Sequence, residues 1–284
     1  MADAATRPAG AAGTHDVEAL KARARNIRRN VVRMATGKGE GYVGQGLDAA
    51  DILAVLFFSE LRYAAADPDA PERDRFVLSP GHYSIALWAT YAEAGILRDP
   101  DLASYGADGS PLIMSTHQGS LPGVSLTGGS LSHGIGVGAG IAAGLRMRGV
   151  DWRTFVFMSD GELQEGSTWE GAMFAAHERL ASLVVVVDCN RTQADGPLVL
   201  EHEPLVDKFR SFGWWAEETD GHDVAGLVEA FDRARTEPER PKAVICHTRL
   251  GYGVPLIMNR DRAHFVRVGD DEWQTVAREL EEWE

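Results

Sequence analysis

Two polar residues thirty positions apart, Asp160 and Asn190, each follow a run of apolar residues, and their types suit a hard metal ion. The first run, Phe155 to Met158, leads into Ser159-Asp160-Gly161; the second, Leu183 to Val187, leads into Asp188-Cys189-Asn190. Continuous apolar strands separated by helical patterns predict a parallel sheet covered on both faces. Strand tips of such a sheet share the carboxyl edge, where open α/β sheets bind ligands. Asp160 supplies a carboxylate, Asn190 an amide oxygen, and Thr192 a backbone carbonyl, a set that suits Mg²⁺ together with phosphate oxygens. Gly161 allows the backbone to approach a diphosphate, with free amides of the turn pointing at it. An Asp-Gly turn and a loop-capping Asn are common structural features in their own right. What separates the two readings is the text between them, ELQEGSTWEGAMFAAH.

Stepping outward, the elements that must hold these tips can be read from periodicity. Val17, Leu20, Ile27, Val31 and Met34 recur at helical spacing from Asp16, a predicted N-cap, to Met34. A glycine-rich loop, Gly37 to Gly46, precedes an apolar helix from Asp48 to Phe58. Arg75 to Leu78 reads as a short buried strand, Ser79 to His82 as a turn, and Ser84 to Ala94 as a helix. Gly106 to Ser130 has little periodicity and much Gly, Ser and Pro, a loop length that is more often functional than idle. Leu131 to Arg148 reads as a helix despite five glycines, each costing up to ~1 kcal/mol relative to alanine; close backbone packing is the expected reason. The second half alternates: helix Ser167 to Leu180, short helix Pro204 to Ser211, helix Val224 to Arg235, strand Lys242 to Cys246, and helix Glu272 to Glu282. The expectation is one α/β domain over 16–284, a parallel sheet flanked by helices on both faces, after a disordered arm over 1–15.

Composition narrows the partners. Acids outnumber bases 42 to 28, giving a formal charge of −14, which argues against a nucleic-acid partner. The basic run Lys21 to Arg33 reads as a solvated helix face or a subunit contact. No stretch approaches the roughly 20 apolar residues that span a bilayer, and the first residues lack a secretion signal's apolar core. Two cysteines, Cys189 and Cys246, offer no disulfide framework, so a reducing, cytoplasmic setting is expected.

The segment Asp160 to His177 resembles the thiamine-diphosphate motif in its transketolase form, which commonly reads GDGELNEGSVWEA-MFAAH. The resemblance extends over nearly the whole chain. DRFVLSPGH, Asp74 to His82, looks like the segment whose histidine lines the substrate channel, implying that role for His82. His117, opening HQGSLPGV, matches a second active-site histidine, and His264 in NRDRAHF matches a third in an altered setting. TGGSLSHGIGVGAG looks like the family's glycine-rich loop, implying cofactor contacts at Gly129 and Leu131. Glu165 matches a glutamate that communicates between subunits beside the cofactor. The resemblance thus implies thiamine diphosphate and Mg²⁺ as cofactors, held by Asp160, Gly161, Asn190 and the Thr192 carbonyl. Histidine titrates near neutrality, which suits His82, His117 and His264 to handling the protons of sugar hydroxyls.

Three departures qualify the resemblance. Ser159 stands where the motif has its first glycine, a position that needs only a small residue. Tyr42 stands where a substrate-binding histidine is expected; a phenol with a pKa near ~10 donates a hydrogen bond but is no base at neutral pH. Nothing in the 284 residues corresponds to the pyrimidine-binding domain, whose glutamate completes the cofactor site. The resemblance therefore implies the N-terminal subunit of a split transketolase, completed by a second chain in an α2β2 tetramer and acting on sugars or sugar phosphates. Two other readings stay open: a specialised ketol or acyl transferase on a non-standard substrate, and a non-catalytic relative that only binds its partner.

Overall fold

The computed structural model describes residues 15–97, 102–194 and 196–283; the expected arm over 1–15 lies outside them except for His15. Five parallel strands form the sheet: β1 (Arg75–Leu78), β2 (Thr154–Ser159), β3 (Leu183–Cys189), β4 (Trp215–Asp220) and β5 (Lys242–His247). Their order across the sheet is β1-β2-β3-β5-β4. The register sets Ser159 opposite Asp188, so the tips of β2 and β3 end level and Asp160 emerges beside Cys189.

Alternation along the strands divides the core in two. Phe76, Phe155, Phe157, Val184, Val186 and Val244 face one side. There they meet α1 (Val17–Lys38), α2 (Val43–Asp48), α3 (Ala50–Val55), α4 (Ser84–Glu93) and α8 (Val224–Arg235). Val77, Val156, Met158, Val185, Val187 and Ile245 face the other side. That side is covered by α5 (His133–Met147), α6 (Gly166–His177) and α7 (Leu205–Ser211). Both faces are thus covered, as continuous apolar strands require. Two short helices follow the last strand, α9 (Pro255–Met258) and α10 (Asp270–Glu282). No helix among the described residues is long and apolar enough to cross a membrane.

Several expectations change in detail. Asp16 caps α1 through Ala19 N at 3.0 Å, but the helix runs on to Lys38 before Gly39 ends it in a left-handed conformation. The predicted helix Asp48 to Phe58 is broken: α2 begins earlier, inside the predicted loop, and a π-helical turn over Leu56–Glu60 follows α3. Strand β4 was not read from the sequence at all. The basic run is not wholly solvated either, since Arg28 is buried and paired with Asp51. Close packing explains only part of the α5 glycines. A Cβ at Gly134 would sit 2.3 Å from Ser79 and one at Gly138 2.3 Å from Val156, whereas Gly136, Gly140 and Gly144 face open space.

Candidate functional site

Three segments meet at the tips of β1, β2 and β3, and Glu162 ties them together. Its buried carboxylate accepts from the Ser79 hydroxyl after β1, from Ser132 N (2.7 Å) before α5, and from Ser159 N (2.9 Å) at the end of β2. Thr168 of α6 donates to its backbone carbonyl at 2.6 Å. One side chain therefore fixes the strand tip, the glycine-rich loop and the start of the helix that follows. Burial pushes the Glu162 carboxyl above its usual range, and the hydrogen bonds it accepts from Ser79, Ser159 and Ser132 oppose that push.

Asp160 is buried at the β2 tip and accepts from Arg191 N at 2.6 Å. Burial first, and then the Asp188 charge, raise it to about 7. Across the tip, the Asn190 amide is oriented by what surrounds it. Its Nδ2 donates to Asp48 Oδ2 (3.0 Å), Tyr83 Oη (3.1 Å) and Asp188 Oδ2 (3.3 Å), while Oδ1 accepts from Thr192 N at 2.9 Å. Three acceptors on the nitrogen fix the flip, so Oδ1 lies on the Thr192 side with a lone pair to spare. Tyr83 Oη donates to Asp188 at 2.6 Å, and the Thr248 hydroxyl also donates to that carboxylate. Asp48 is pushed well up by burial and by Asp188, and its Oδ1 is buried with no partner. Gly161 keeps the turn open; a Cβ there would meet Gln193 at 3.2 Å.

A second group adjoins this one through consecutive residues, His82 and Tyr83. The His82 ring lies 5.1 Å from that of His264 and 5.0 Å from that of Tyr42, centroid to centroid. His264 Nδ1 meets Gln45 Nε2 at 2.7 Å, a contact in which the ring nitrogen accepts. Burial, then the neighbouring His264, lowers His82 to about 3, and burial lowers His264 as well. Both are neutral imidazoles at physiological pH. Tyr42, replacing an expected histidine, packs between them and Phe265.

His117 is exposed on the long loop, next to Thr116, whose N donates to Gly81 O at 3.3 Å. That loop is irregular, as predicted, and is pinned where Gly128 crosses Gly81; a Cβ on Gly128 would lie 2.2 Å from Gly81 Cα. Gly129 has φ +127°, Leu131 is half-buried, and Glu165 is exposed at the start of α6. The structure thus gathers Asp160, Gly161, Asn190 and Thr192 at one tip, and His82 with His264 beside it. It places His117, Gly129, Leu131 and Glu165 on the surrounding loops. Asp48, Tyr83, Asp188 and Glu162, which organise the tip, were not singled out from sequence. A carboxylate in an apolar helix was the one available signal for Asp48.

Residues 20–283 match the family model for the transketolase thiamine diphosphate binding domain. A transketolase family protein of Sinorhizobium fredii is 47% identical over 264 residues, covering 91% of this chain and 94% of its own. A Clostridium protein named 6-deoxy-6-sulfo-D-fructose transketolase subunit is 33% identical over 90% of this chain and 94% of its own. Among solved structures, a Pichia stipitis transketolase in complex with fructose-6-phosphate superposes with a TM-score of 0.81 at 26% identity, over 93% of this chain and 43% of its own. The fold and the match together define a thiamine-diphosphate-binding α/β domain. The chain belongs to the transketolase family. It spans 40% of the length of the human transketolase it matches.

Proposed function

We propose that this chain is the diphosphate-binding subunit of a two-chain transketolase, transferring a two-carbon ketol unit from a ketose to an aldose with thiamine diphosphate and Mg²⁺. The observation that carries this reading is the strand-tip pair. Asp160 is a buried carboxylate with no cationic side chain paired to it among the described residues, and the Asn190 oxygen is fixed on the Thr192 side of the tip. A divalent cation there would relieve the penalty that raises Asp160. Asp160, the Asn190 amide oxygen and the Thr192 carbonyl would hold Mg²⁺, with Gly161 and the turn amides facing the diphosphate. Thiamine diphosphate, when bound, supplies the nucleophilic carbon and the electron sink.

This chain's own residues then bind and orient the sugar. His82 and His264 are neutral and 5.1 Å apart. His82 can accept a hydroxyl proton at one ring nitrogen and donate from the other, while His264, whose Nδ1 accepts from Gln45, offers its Nε2–H as a donor. Tyr42 beside them adds a hydrogen-bond donor. His117 reaches the site from the loop pinned at Gly81. Gly129 and Leu131 line the cofactor's approach, and Glu165 faces the partner. A second subunit carrying the pyrimidine-binding domain completes the site and excludes water, in an α2β2 assembly in the cytoplasm. The match over 94% of a relative that is itself named a subunit supports a separate chain of this size.

A second reading concerns the substrate. Tyr42 occupies the contact with His82 and His264 where a further histidine is expected, which favours a non-standard ketose or acceptor over the ordinary pentose phosphates. The Clostridium relative, named for a sulfonated sugar, supports that direction.

The deciding experiment measures thiamine diphosphate binding by the assembled complex with and without Mg²⁺, followed by ketol transfer across a panel of ketoses and aldehydes. Mg²⁺-dependent binding and transfer are expected. Cofactor binding that ignores Mg²⁺, or no binding at all, would overturn the assignment, and pentose phosphates as the best pair would remove the second reading.

A further inference from the structure

His202 is a buried histidine that nothing accounts for. It is 3% exposed, and neither of its ring nitrogens has a hydrogen-bond partner. Burial lowers it further from protonation, so it is a neutral imidazole whose ring nitrogens meet no hydrogen-bonding group among the described residues. Burying both nitrogens unpaired is costly, so a partner from outside the chain is the natural remedy. What the ring does face is chemically specific. One of its nitrogens, a carboxylate oxygen of Asp160 and Sγ of Cys189 all lie within 4.8 Å of one another. Asp160 and Cys189 are each 1% exposed.

We propose that Cys189, His202 and Asp160 form a binding site for a soft or borderline transition metal such as Zn²⁺, a site that adds a sulfur and an imidazole donor to the one carboxylate it shares with the Mg²⁺ set. A thiolate, an imidazole and a carboxylate converging from three segments are the ligands that zinc and cobalt select and magnesium refuses. Each ligand is positioned independently. Cys189 ends β3, Asp160 follows β2, and His202 is held by its own backbone, which accepts from Lys208 Nζ and donates to Glu201 at 3.2 Å. The same sulfur is also within 4.8 Å of ligand atoms of Glu203 and His247. His247 is engaged with Glu218 at 2.9 Å and Glu203 with Leu205 N at 2.9 Å, which leaves water for the fourth position of a tetrahedron. On binding, the sulfur forms its bond to the ion and the thiol proton leaves to solvent.

The site shares Asp160 with the proposed Mg²⁺ centre. A metal bound by Cys189 and His202 would draw that carboxylate away from the Asn190 side, so the site would act as a soft-metal brake on cofactor binding. This consequence rests on the reading under Proposed function; the metal site itself does not.

Co²⁺ is the probe, added to the full chain in the assembly in which it is isolated, after stripping with chelator. One equivalent should produce thiolate-to-cobalt charge-transfer absorption in the near ultraviolet, with intense visible bands of four-coordinate cobalt. Zn²⁺ should abolish the signal and excess Mg²⁺ should not. Cys189→Ser should remove the charge-transfer band, Cys246→Ser should keep it, and His202→Gln should weaken Co²⁺ binding at least tenfold. Circular dichroism on each variant separates these effects from misfolding, and His202→Gln removes only a group without partners. Absence of the band in the wild type, or its persistence in Cys189→Ser, would overturn the site. Mg²⁺-dependent thiamine diphosphate binding by the stripped protein is measured alongside; its failure would sink the cofactor reading and leave the cobalt result standing.

Discussion

The two ends of the sheet bury carboxylates in opposite ways. At the amino edge, Asp74 is fully buried and accepts from Arg62 (2.8 and 3.0 Å) and from Arg153 N (2.7 Å) and its guanidinium. Glu60 is buried too and pairs with Arg153 at 3.2 Å and Arg235 at 2.6 Å. At the carboxyl edge, Asp48, Asp160 and Asp188 crowd together and only amides, hydroxyls and backbone N–H groups answer them. All three are raised by burial, and for Asp48 and Asp160 the neighbouring Asp188 is the second cause. The amino edge is closed, with its countercharges built in. The carboxyl edge has no paired cation among the described residues, which fits the Mg²⁺ site proposed there.

The largest expected effect breaks the closed end. Asp74→Ala removes a fully buried carboxylate from two half-buried guanidinium groups and should cost about 3 kcal/mol of stability, read as a lower urea midpoint; a loss below about 1 kcal/mol would mean the amino edge is as incomplete as the other. Asp160→Ala probes the open end and should reverse the pattern. Cofactor affinity in the presence of Mg²⁺ should fall more than about 100-fold, in line with losses of tens to hundreds for disturbed metal sites, while the thermal midpoint holds or rises. An equal loss in both measurements would erase the distinction between the two ends.

His82 gives a pH test of intermediate size. Its folded-state pKa is depressed to about 3 by burial and His264, against about 6.5 in the unfolded chain. The unfolded state therefore binds more protons between these values, and stability is full above about 6.5 and is lost as pH falls toward 3. Between pH 7 and pH 5 the contribution should be about 1–2 kcal/mol, and His82→Asn should remove that part of the slope in denaturant titrations. Smallest of all is Asp48→Asn, which keeps an acceptor for Asn190 while removing a like charge beside Asp188. It should stabilise the metal-free protein by up to about 1 kcal/mol; a destabilisation above that size would show that the Asp48 charge is already compensated.

Much of the scaffold was legible because burial on both faces writes itself as unbroken apolar text. Arg75–Leu78 and Val224–Arg235 stand where periodicity put them. Strand β4 escaped because it lies at the sheet's edge: in WAEETD only Ala216 is buried, and three of the other five residues, Glu217, Glu218 and Asp220, are charged. The helix predicted from Asp48 to Phe58 looked continuous because, Asp48 and Asp51 aside, every residue is apolar and none marks the break at Ala49. At the site, the family motif pointed to Asp160 and Asn190, and the structure brings them to neighbouring tips. The residues that orient them were invisible for a physical reason. Asp48 reaches Asn190 across 142 positions and Tyr83 across 107, and no local pattern encodes a contact between side chains so far apart. His202 was equally silent, since a histidine in a polar loop shows its lack of partners only once the fold has buried it.

The crossing of Gly128 over Gly81 has a mechanical corollary. Thr116 N donates to Gly81 O and Gly128 N to Thr116 O at 2.8 Å, so the long loop is riveted to the β1 tip there, and its excursion is held again where Gly123 N donates to Asp69 Oδ1 at 2.8 Å. Slack added or removed in the excursion would be taken up locally. A single methyl at the rivet would instead lever His82 and Tyr83 together, passing the displacement to both the imidazole pair and the Asn190 amide. Natural variation in this loop's length should therefore gather between the two anchor points and spare them.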